Sequence, residues 1–448
     1  MNPQLPGMNR RTFLQSAAVA ALAVSLPGLR AQSPSAPRFR NLVSPDRKLR
    51  IAGIGVGGKG STDLLNCVDE EIVALCDVDF KQGSPSFLRW PNLPRFRDYR
   101  QLFDEMGDDF DAVTVSTTDH MHFPIAMMAM ERGKHVFVQK PLSHTIGEAR
   151  ALKAAALKTG VVTQMGNQGQ AGEGARLAKE WIEAGVIGHV REVHCWDQRP
   201  VWPQGIPLPE PVKTIPSTID WNLWLGVAPE RDYSPLLAPF KWRGFWDYGC
   251  GALGDMGCHL LNAPFWALDL RGNVRVSAIS EGNSEVCAPK WSIVTFEFPE
   301  RNGRPPVKLI WSDGGKQPPV PKELGPNGTL PKGGVIYYGD KGVIMDGTNY
   351  GSSPRLIPEE KMRAFTDRPP KRLPRVPGGI MKDWIRACKG GPAPCSNFVD
   401  HAADLTEMIL LGNLAIRAGQ PIEWDATQGV CSNLPAATRF IHKNYRVF

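Results

Sequence analysis

The sequence predicts an α/β fold in two domains: a doubly wound parallel sheet, then an α+β domain with a large, mostly antiparallel, open-faced sheet. Three observations carry this expectation. Between residues 47 and 165, short apolar runs alternate with helical stretches, the pattern of parallel strands joined by helical crossovers. A glycine-rich turn follows the first of those runs. Beyond residue 166, β-branched and aromatic runs are separated by long proline-rich spacers, which suits a sheet with extended loops. A chain of 448 residues has length for both domains. Its 45 glycines and 40 prolines exclude a mostly helical protein.

The first strand is expected over 48–55, apolar and ending in glycines. The turn reads Gly53-x-Gly55-x-x-Gly58, with Gly57 and Gly60 added. A helix follows over 61–67, then a strand over 72–76 that ends at Asp77. Strand, glycine turn, helix, strand and acid within about 30 residues is the Rossmann dinucleotide-binding arrangement. Its glycines let the backbone approach a pyrophosphate, and the helix start supplies N–H donors. Asp77 lies 24 residues after Gly53. A carboxylate there accepts from a ribose 2′-OH and repels a 2′-phosphate, so NAD is favoured over NADP.

The alternation continues with a strand at 111–116, a helix over 124–132, a strand at 135–138, a helix over 149–159 and a strand at 161–165. Ligands bind beyond the carboxyl ends of such strands. Thr117, Thr118, His120, His122 and Lys140 fall at those ends, and Asn167 and Gln168 follow the last strand. His120-x-His122 is read as part of a loop. Its spacing places no further ligands, so no metal site is expected. His144 is read as a polar residue of a loop or helix start.

Three stretches resemble the glucose–fructose oxidoreductase / inositol dehydrogenase (Gfo/Idh/MocA) family. They are the glycine turn; Thr117-Thr118-Asp119-His120-Met121-His122 through Gly133-Lys134-His135-Val136 to Lys140-Pro141; and Gly254-Asp255-Met256-Gly257-Cys258-His259. The likeness spans residues 48–430. It implies that Lys140 lies beside the nicotinamide and that Asp255 and His259 are proton-transfer residues. It also implies that His120 and His122 sit near the cofactor. The run Trp242-Arg243 and Asp247-Tyr248-Gly249-Cys250-Gly251 is similar to that of an exported subset of the family. Two positions depart: Gln139 stands where the family usually has Glu before the lysine, and Asn262 where many members have Asp.

Spacing says something similar of Asp255 and His259. Asp255 and His259 are i and i+4 and share a face if helical. A carboxylate near an imidazole sets its tautomer and raises its basicity, so His259 can take a hydroxyl proton. Lys140, which the resemblance sets beside the nicotinamide, can hold or exchange that proton.

The second domain is expected over 166–448, with strands at 190–196, 273–280, 291–298, 307–312 and 334–338 and an amphipathic helix at 402–418. Ten of the 13 tryptophans fall between Trp181 and Trp311. Sugar rings stack on aromatic faces while Arg and Asp bind hydroxyls, which makes Trp242, Arg243 and Trp246, with His259, the substrate-side candidates. The open-faced sheet favours a homo-oligomer.

Asn9-Arg10-Arg11-Thr12-Phe13-Leu14 before an uncharged run at 17–26 reads as a twin-arginine export signal over 1–31, with a linker at 32–46. The expected location is periplasmic or otherwise exported, with the twin-arginine machinery as a partner. Removing 1–31 takes away Arg10, Arg11 and Arg30 and lowers the formal charge from +7 to +4. Acids and bases are interleaved without a dense basic block, so no nucleic-acid partner is expected. The nine cysteines show no zinc-like spacing, and a Cys388–Cys395 pair is left open. The expected function is NAD(P)-dependent oxidation of a sugar or polyol hydroxyl, with a tightly bound cofactor. The alternative is redox-neutral glycoside cleavage through transient oxidation at C3.

Overall fold

The fold is described from a computed structural model over residues 39–448. The expected signal over 1–31 and part of the linker lie outside the described residues.

The first sheet has six strands: β1 (Arg50–Ile54), β2 (Glu71–Cys76), β3 (Arg95–Phe96), β4 (Ala112–Val115), β5 (His135–Val138) and β6 (Thr163–Met165). Their order is β3-β2-β1-β4-β5-β6, and every pairing is parallel. All four residues of β4 and of β5 are buried, because helices cover both faces of such a sheet and leave no polar side. The order reverses between β1 and β4, which opens a crevice at their carboxyl ends.

Two helices start earlier than expected. The helix Ile146–Thr159 begins with a capping box, in which Thr145 accepts from the Glu148 N–H and Glu148 accepts from the Thr145 N–H. The helix Asp119–Glu131 includes Pro124 as its sixth residue. Proline suits a first turn, which is why the sequence suggests a start there. Inside the helix it leaves the His120 carbonyl without its N–H, and the Lys443 ammonium donates to that oxygen at 3.4 Å instead. His120 and His122 are therefore helical, not on a loop.

The second sheet has nine strands: β7 (Val190–Trp196), β8 (Val274–Glu281), β9 (Trp291–Phe298), β10 (Val307–Ser312), β11 (Gly334–Gly339), β12 (Val343–Asp346), β13 (Arg355–Ile357), β14 (Ile422–Asp425) and β15 (Val430–Cys431). The order is β13-β12-β11-β7-β10-β9-β8-β14-β15, and only β7 and β10 pair in parallel. Burial alternates along β9: Ser292, Val294, Phe296 and Phe298 point inward. The opposite face is open, with Ile279 62% exposed.

The helix Ala403–Ala418 packs on the inner face. It is not amphipathic: twelve of its sixteen residues are buried. A Cβ on Gly412 would crowd Leu253 at 2.5 Å and Phe296 at 3.0 Å, so this helix is wedged between the sheet and the helix Gly251–Leu260. Arg150 and Lys153 reach it from the first domain through Glu407 and Asp404, each pair at 2.6 Å. All nine cysteines, Cys388 and Cys395 included, are free thiols.

Candidate active site between the two sheets

A cleft of about 550 Å³ opens at the carboxyl ends of β1, β2, β4 and β5 and is closed on the far side by the second domain. On the first-domain side it is lined by Gly55, Gly57, Gly58, Asp77, Thr117, Thr118, Asp119 and Lys140. Gly55 (φ 75°) and Gly58 (φ 50°) hold the left-handed conformation that glycine tolerates. A Cβ on Gly55 would sit 2.8 Å from the Ser116 carbonyl, and nothing lies within 4 Å in front of Gly58. That bare, glycine-walled space at the start of the helix Lys59–Leu65 fits a pyrophosphate.

Asp77 directly follows β2 and accepts from the N–H groups of Val56 at 2.9 Å, Gly57 at 3.1 Å and Asp79 at 2.9 Å. Burial pushes its carboxyl up to about 6, against the pull of those N–H groups. Asp77 thus moulds the glycine turn as well as facing the cleft.

The chemistry-bearing residues meet on the helix Gly251–Leu260. Asp255 and His259 share its cleft face. Lys140, just past β5, donates to the Asp255 carbonyl at 2.8 Å and to Asp255 Oδ1 at 2.9 Å. Burial would raise the Asp255 carboxyl, but Lys140 and Arg243 outweigh it and hold it below the ordinary aspartate value. His259 is 4% exposed, and its Nδ1 has no partner among the described residues. Burial, then Lys140, depress its pKa well below the ordinary histidine value, with Asp255 opposing. The expected rise in basicity from Asp255 is therefore overruled: Asp255 spends its hydrogen bonds on Lys140, and His259 is a neutral imidazole at pH 7.

The opposite wall is aromatic and cationic. Trp242 donates from its indole to the Pro239 carbonyl at 3.1 Å. The Arg243 guanidinium lies 4.4 Å from the ring centres of both Trp242 and Phe240, and its Nε is 3.7 Å from Asp255 Oδ1. The geometry adds residues that the sequence did not single out. Arg199 and Phe240 line the cleft, and Asp119 enters it from the helix Asp119–Glu131. Tyr350, 41% exposed, sets its ring edge-on to His259 at 4.8 Å. Only Asp119 had a visible signal, as part of the motif before His120.

Five expected residues stay outside the cleft lining. Gly53 is within β1, where a Cβ would strike Leu64 at 2.9 Å, so it serves helix-on-strand packing. His120 Nε2 points away, to the Trp224 and Leu225 carbonyls at 3.2 and 3.1 Å. His122 braces two loops: Nδ1 donates to the Pro141 carbonyl at 2.7 Å, and Nε2 lies 3.2 Å from the Thr117 carbonyl. Asn167 is fully buried, donating to Asn262 at 2.9 Å and accepting from Ser396 at 2.6 Å, and Gln168 faces the cleft in its place. Trp246 turns its indole N–H to the Ser284 carbonyl at 3.1 Å inside the core. His144, read as a polar residue at a helix start, sits two positions before the helix Ile146–Thr159 with Nδ1 3.1 Å from Lys443 Nζ.

Both sequence departures have a structural account. Gln139 donates to the buried Asp63 carboxylate at 2.8 Å, which also accepts from Ser116 at 2.8 Å and pairs with Lys59. A glutamate at 139 would face that carboxylate charge to charge. Asn262 accepts from Asn167 and from His401 and donates to Gln170. An aspartate there could not make the last bond.

Family profiles match this chain in both halves: residues 49–167 match the oxidoreductase family's NAD-binding Rossmann fold, and residues 179–328 its C-terminal alpha/beta domain. The chain belongs to the Gfo/Idh/MocA family. Its first domain is an NAD-binding Rossmann domain. It is 29% identical over 202 residues to a glycosyl hydrolase family 109 protein of Shewanella pealeana, covering 41% of this chain and 44% of that protein. It is 26% identical over 165 residues to a levoglucosan dehydrogenase of Pseudarthrobacter phenanthrenivorans, covering 37% and 34%. The match thus spans less than half the length of these relatives. Among solved structures, it resembles the WlbA dehydrogenase of Bordetella pertussis, in complex with NADH and UDP-GlcNAcA, with TM-score 0.57, 17% identity and coverage of 84% and 99%. It also resembles the aldose-aldose oxidoreductase of Caulobacter crescentus, with TM-score 0.54, 18% identity and coverage of 84% and 100%. At that identity the likeness is one of fold.

Proposed function

We propose that this protein is an NAD-dependent oxidoreductase acting on a sugar or polyol hydroxyl, exported by the twin-arginine route. The observation that carries the reading is the meeting of Lys140, Asp255 and His259 between a glycine-walled cradle and an aromatic-cationic wall. NAD held in that cradle would supply a hydride acceptor. The turn at Gly55–Gly58 would hold its pyrophosphate, and Asp77 would face its ribose. His259 is neutral and its Nδ1 is buried, which leaves Nε2 to take the substrate's hydroxyl proton. Lys140, fixed by Asp255, donates a hydrogen bond to the same hydroxyl oxygen and stabilises negative charge as it develops there. Trp242 offers an apolar face for a sugar ring, and Arg243 binds hydroxyls beside it. An exported enzyme meets little free NAD, so the cofactor is retained through turnover and reset by a second substrate. The open face of the second sheet is proposed to pair copies of the chain.

A second reading is favoured by the glycosyl hydrolase family 109 relatives. In it, oxidation at C3 is transient, the glycosidic bond breaks by elimination or hydrolysis, and the hydride returns to the sugar. One assay separates the two. The mature protein is purified, denatured and its supernatant tested for NAD; the native protein is then offered aryl glycosides and free sugars. Net cofactor reduction with a keto or lactone product supports the dehydrogenase. Nitrophenol release without net reduction supports the glycosidase. Absence of bound nucleotide, together with no binding of added NADH, would sink both.

A further inference from the structure

The helix that carries Asp255 and His259 has no side-chain cap of its own at Cys250. Its N-cap residue is held from outside through both its N–H and its carbonyl. Asp119 Oδ2, from the first domain, accepts the Cys250 N–H at 3.1 Å. Asn413, from the wedged helix Ala403–Ala418, donates to the Cys250 carbonyl at 2.8 Å. Asp119 is 5% exposed and lines the cleft, and this is its only hydrogen bond through the side chain among the described residues. A carboxylate placed there also suits the positive end of the helix dipole.

We infer that Asp119 is a positioning residue of the active site, which sets the catalytic helix against the cofactor domain by holding the Cys250 N–H. The inference rests on the site reading above. Two links join the cofactor domain to this helix at the cleft, Lys140 to Asp255 and Asp119 to Cys250, and behind the cleft the Cys250 thiol makes only long contacts with the Ser143 and His144 carbonyls, at 3.9 and 3.8 Å. The first lies where the chemistry takes place, and its hydrogen bonds change as the proton moves. The second lies five residues earlier on the same helix, about 7 Å along its axis, and takes no part in proton transfer. It keeps Asp255 and His259 in register when the first link is disturbed. Burial pushes the Asp119 carboxyl up to about 7, with Arg243 and Lys140 opposing and Asp255 reinforcing. Either protonation state retains an oxygen that can accept the N–H, so the seat persists through that titration.

The test compares Asp119→Ala with Asp119→Asn, which keeps an acceptor oxygen and loses the charge. Misplacement by about 1 Å costs up to a hundredfold in rate. The alanine variant is expected to lose about ten- to a hundredfold in kcat with KM changed less than about threefold. The asparagine variant is expected to return to within about threefold of the parent. Retention of NADH, measured by fluorescence, should be unchanged in both. Full kcat in Asp119→Ala, or equal losses in both variants, would overturn the inference. Should the alanine variant not fold, hydrogen exchange at the Cys250 amide of the parent protein decides. Protection well above that of the flanking loop amides supports the seat, and exchange as fast as theirs overturns it. His259→Ala is run alongside. If it keeps full activity, the site reading is at fault; if it is inactive while Asp119→Ala is not, only this inference fails.

Discussion

His259 and His120 are both buried imidazoles in helices beside the same cleft, and burial depresses both, His120 to about 3. They differ in what their nitrogens meet. His120 Nε2 is occupied by two backbone carbonyls, at 3.2 and 3.1 Å. The His259 ring makes no hydrogen bond to the described protein and faces open space beside Lys140 and Asp255. A buried polar group without a partner is costly, and a ring nitrogen left open beside the cleft is one that a ligand can complete. What separates the site residue from the brace is Nε2: that of His120 is taken by backbone carbonyls and that of His259 is left open beside the cleft, while both rings leave a buried Nδ1 unpartnered among the described residues.

The comparison is broken most severely by removing the site side. His259→Ala and Lys140→Ala should each lower kcat by about a thousandfold, within the span of general acid–base catalysis, with NADH binding preserved in both and melting temperature preserved in His259→Ala. Turnover near that of the parent in either variant would mean that the open nitrogen is not the working one. A smaller effect is expected at the other end of the cleft. Asp77→Ala should weaken NADH about ten- to a hundredfold, as the loss of a charge-assisted hydrogen bond implies, and narrow the preference over NADPH. Titrating both cofactors by fluorescence checks it, and an unchanged ratio counts against Asp77 as the selector.

On the brace side, His120→Phe keeps the ring and loses the two carbonyl contacts. It should cost about 1–3 kcal/mol of stability, read from denaturant unfolding, with kcat of the folded protein within about twofold. A large loss of kcat at unchanged stability would put His120 back among the functional residues.

Local chemistry made the first domain legible. Gly55, Gly58 and Asp77 act through backbone conformation and strand ends, both of which are written in adjacent residues. Lys140, Asp255 and His259 came from motif spacing, and the structure gathers them into one cleft. What the sequence hid was direction. His120 and His122 sit at a strand end, but a helix beginning at Asp119 turns them inward. Asn167 and Gln168 are neighbours, and only the turn after β6 decides which of them faces the cleft. Strands β12 to β15 have two to four residues each, too short for a period to show, and long-range pairing creates them. Arg199 and Tyr350 arrive from loops whose paths depend on that sheet.

The finest probe uses opposite signs of titration. The buried histidines are depressed, so the unfolded chain binds their protons more tightly and stability falls as pH drops below the ordinary histidine value. Asp119 runs the other way. Its folded-state value is raised from 3.8 to about 7, chiefly by burial, with Arg243 and Lys140 lowering it and Asp255 raising it. The folded state then binds this proton more tightly than the unfolded chain. Its contribution is present below about pH 4 and is lost as pH rises through about 7. Asparagine cannot titrate, so Asp119→Asn should gain stability relative to the parent between pH 5 and pH 8 while sharing the histidine-driven loss at acid pH. Urea unfolding of the two proteins at those pH values measures the gap. A gap that stays constant over that range would show that Asp119 is ionised throughout, and its link to Cys250 would then be a bond of full charge.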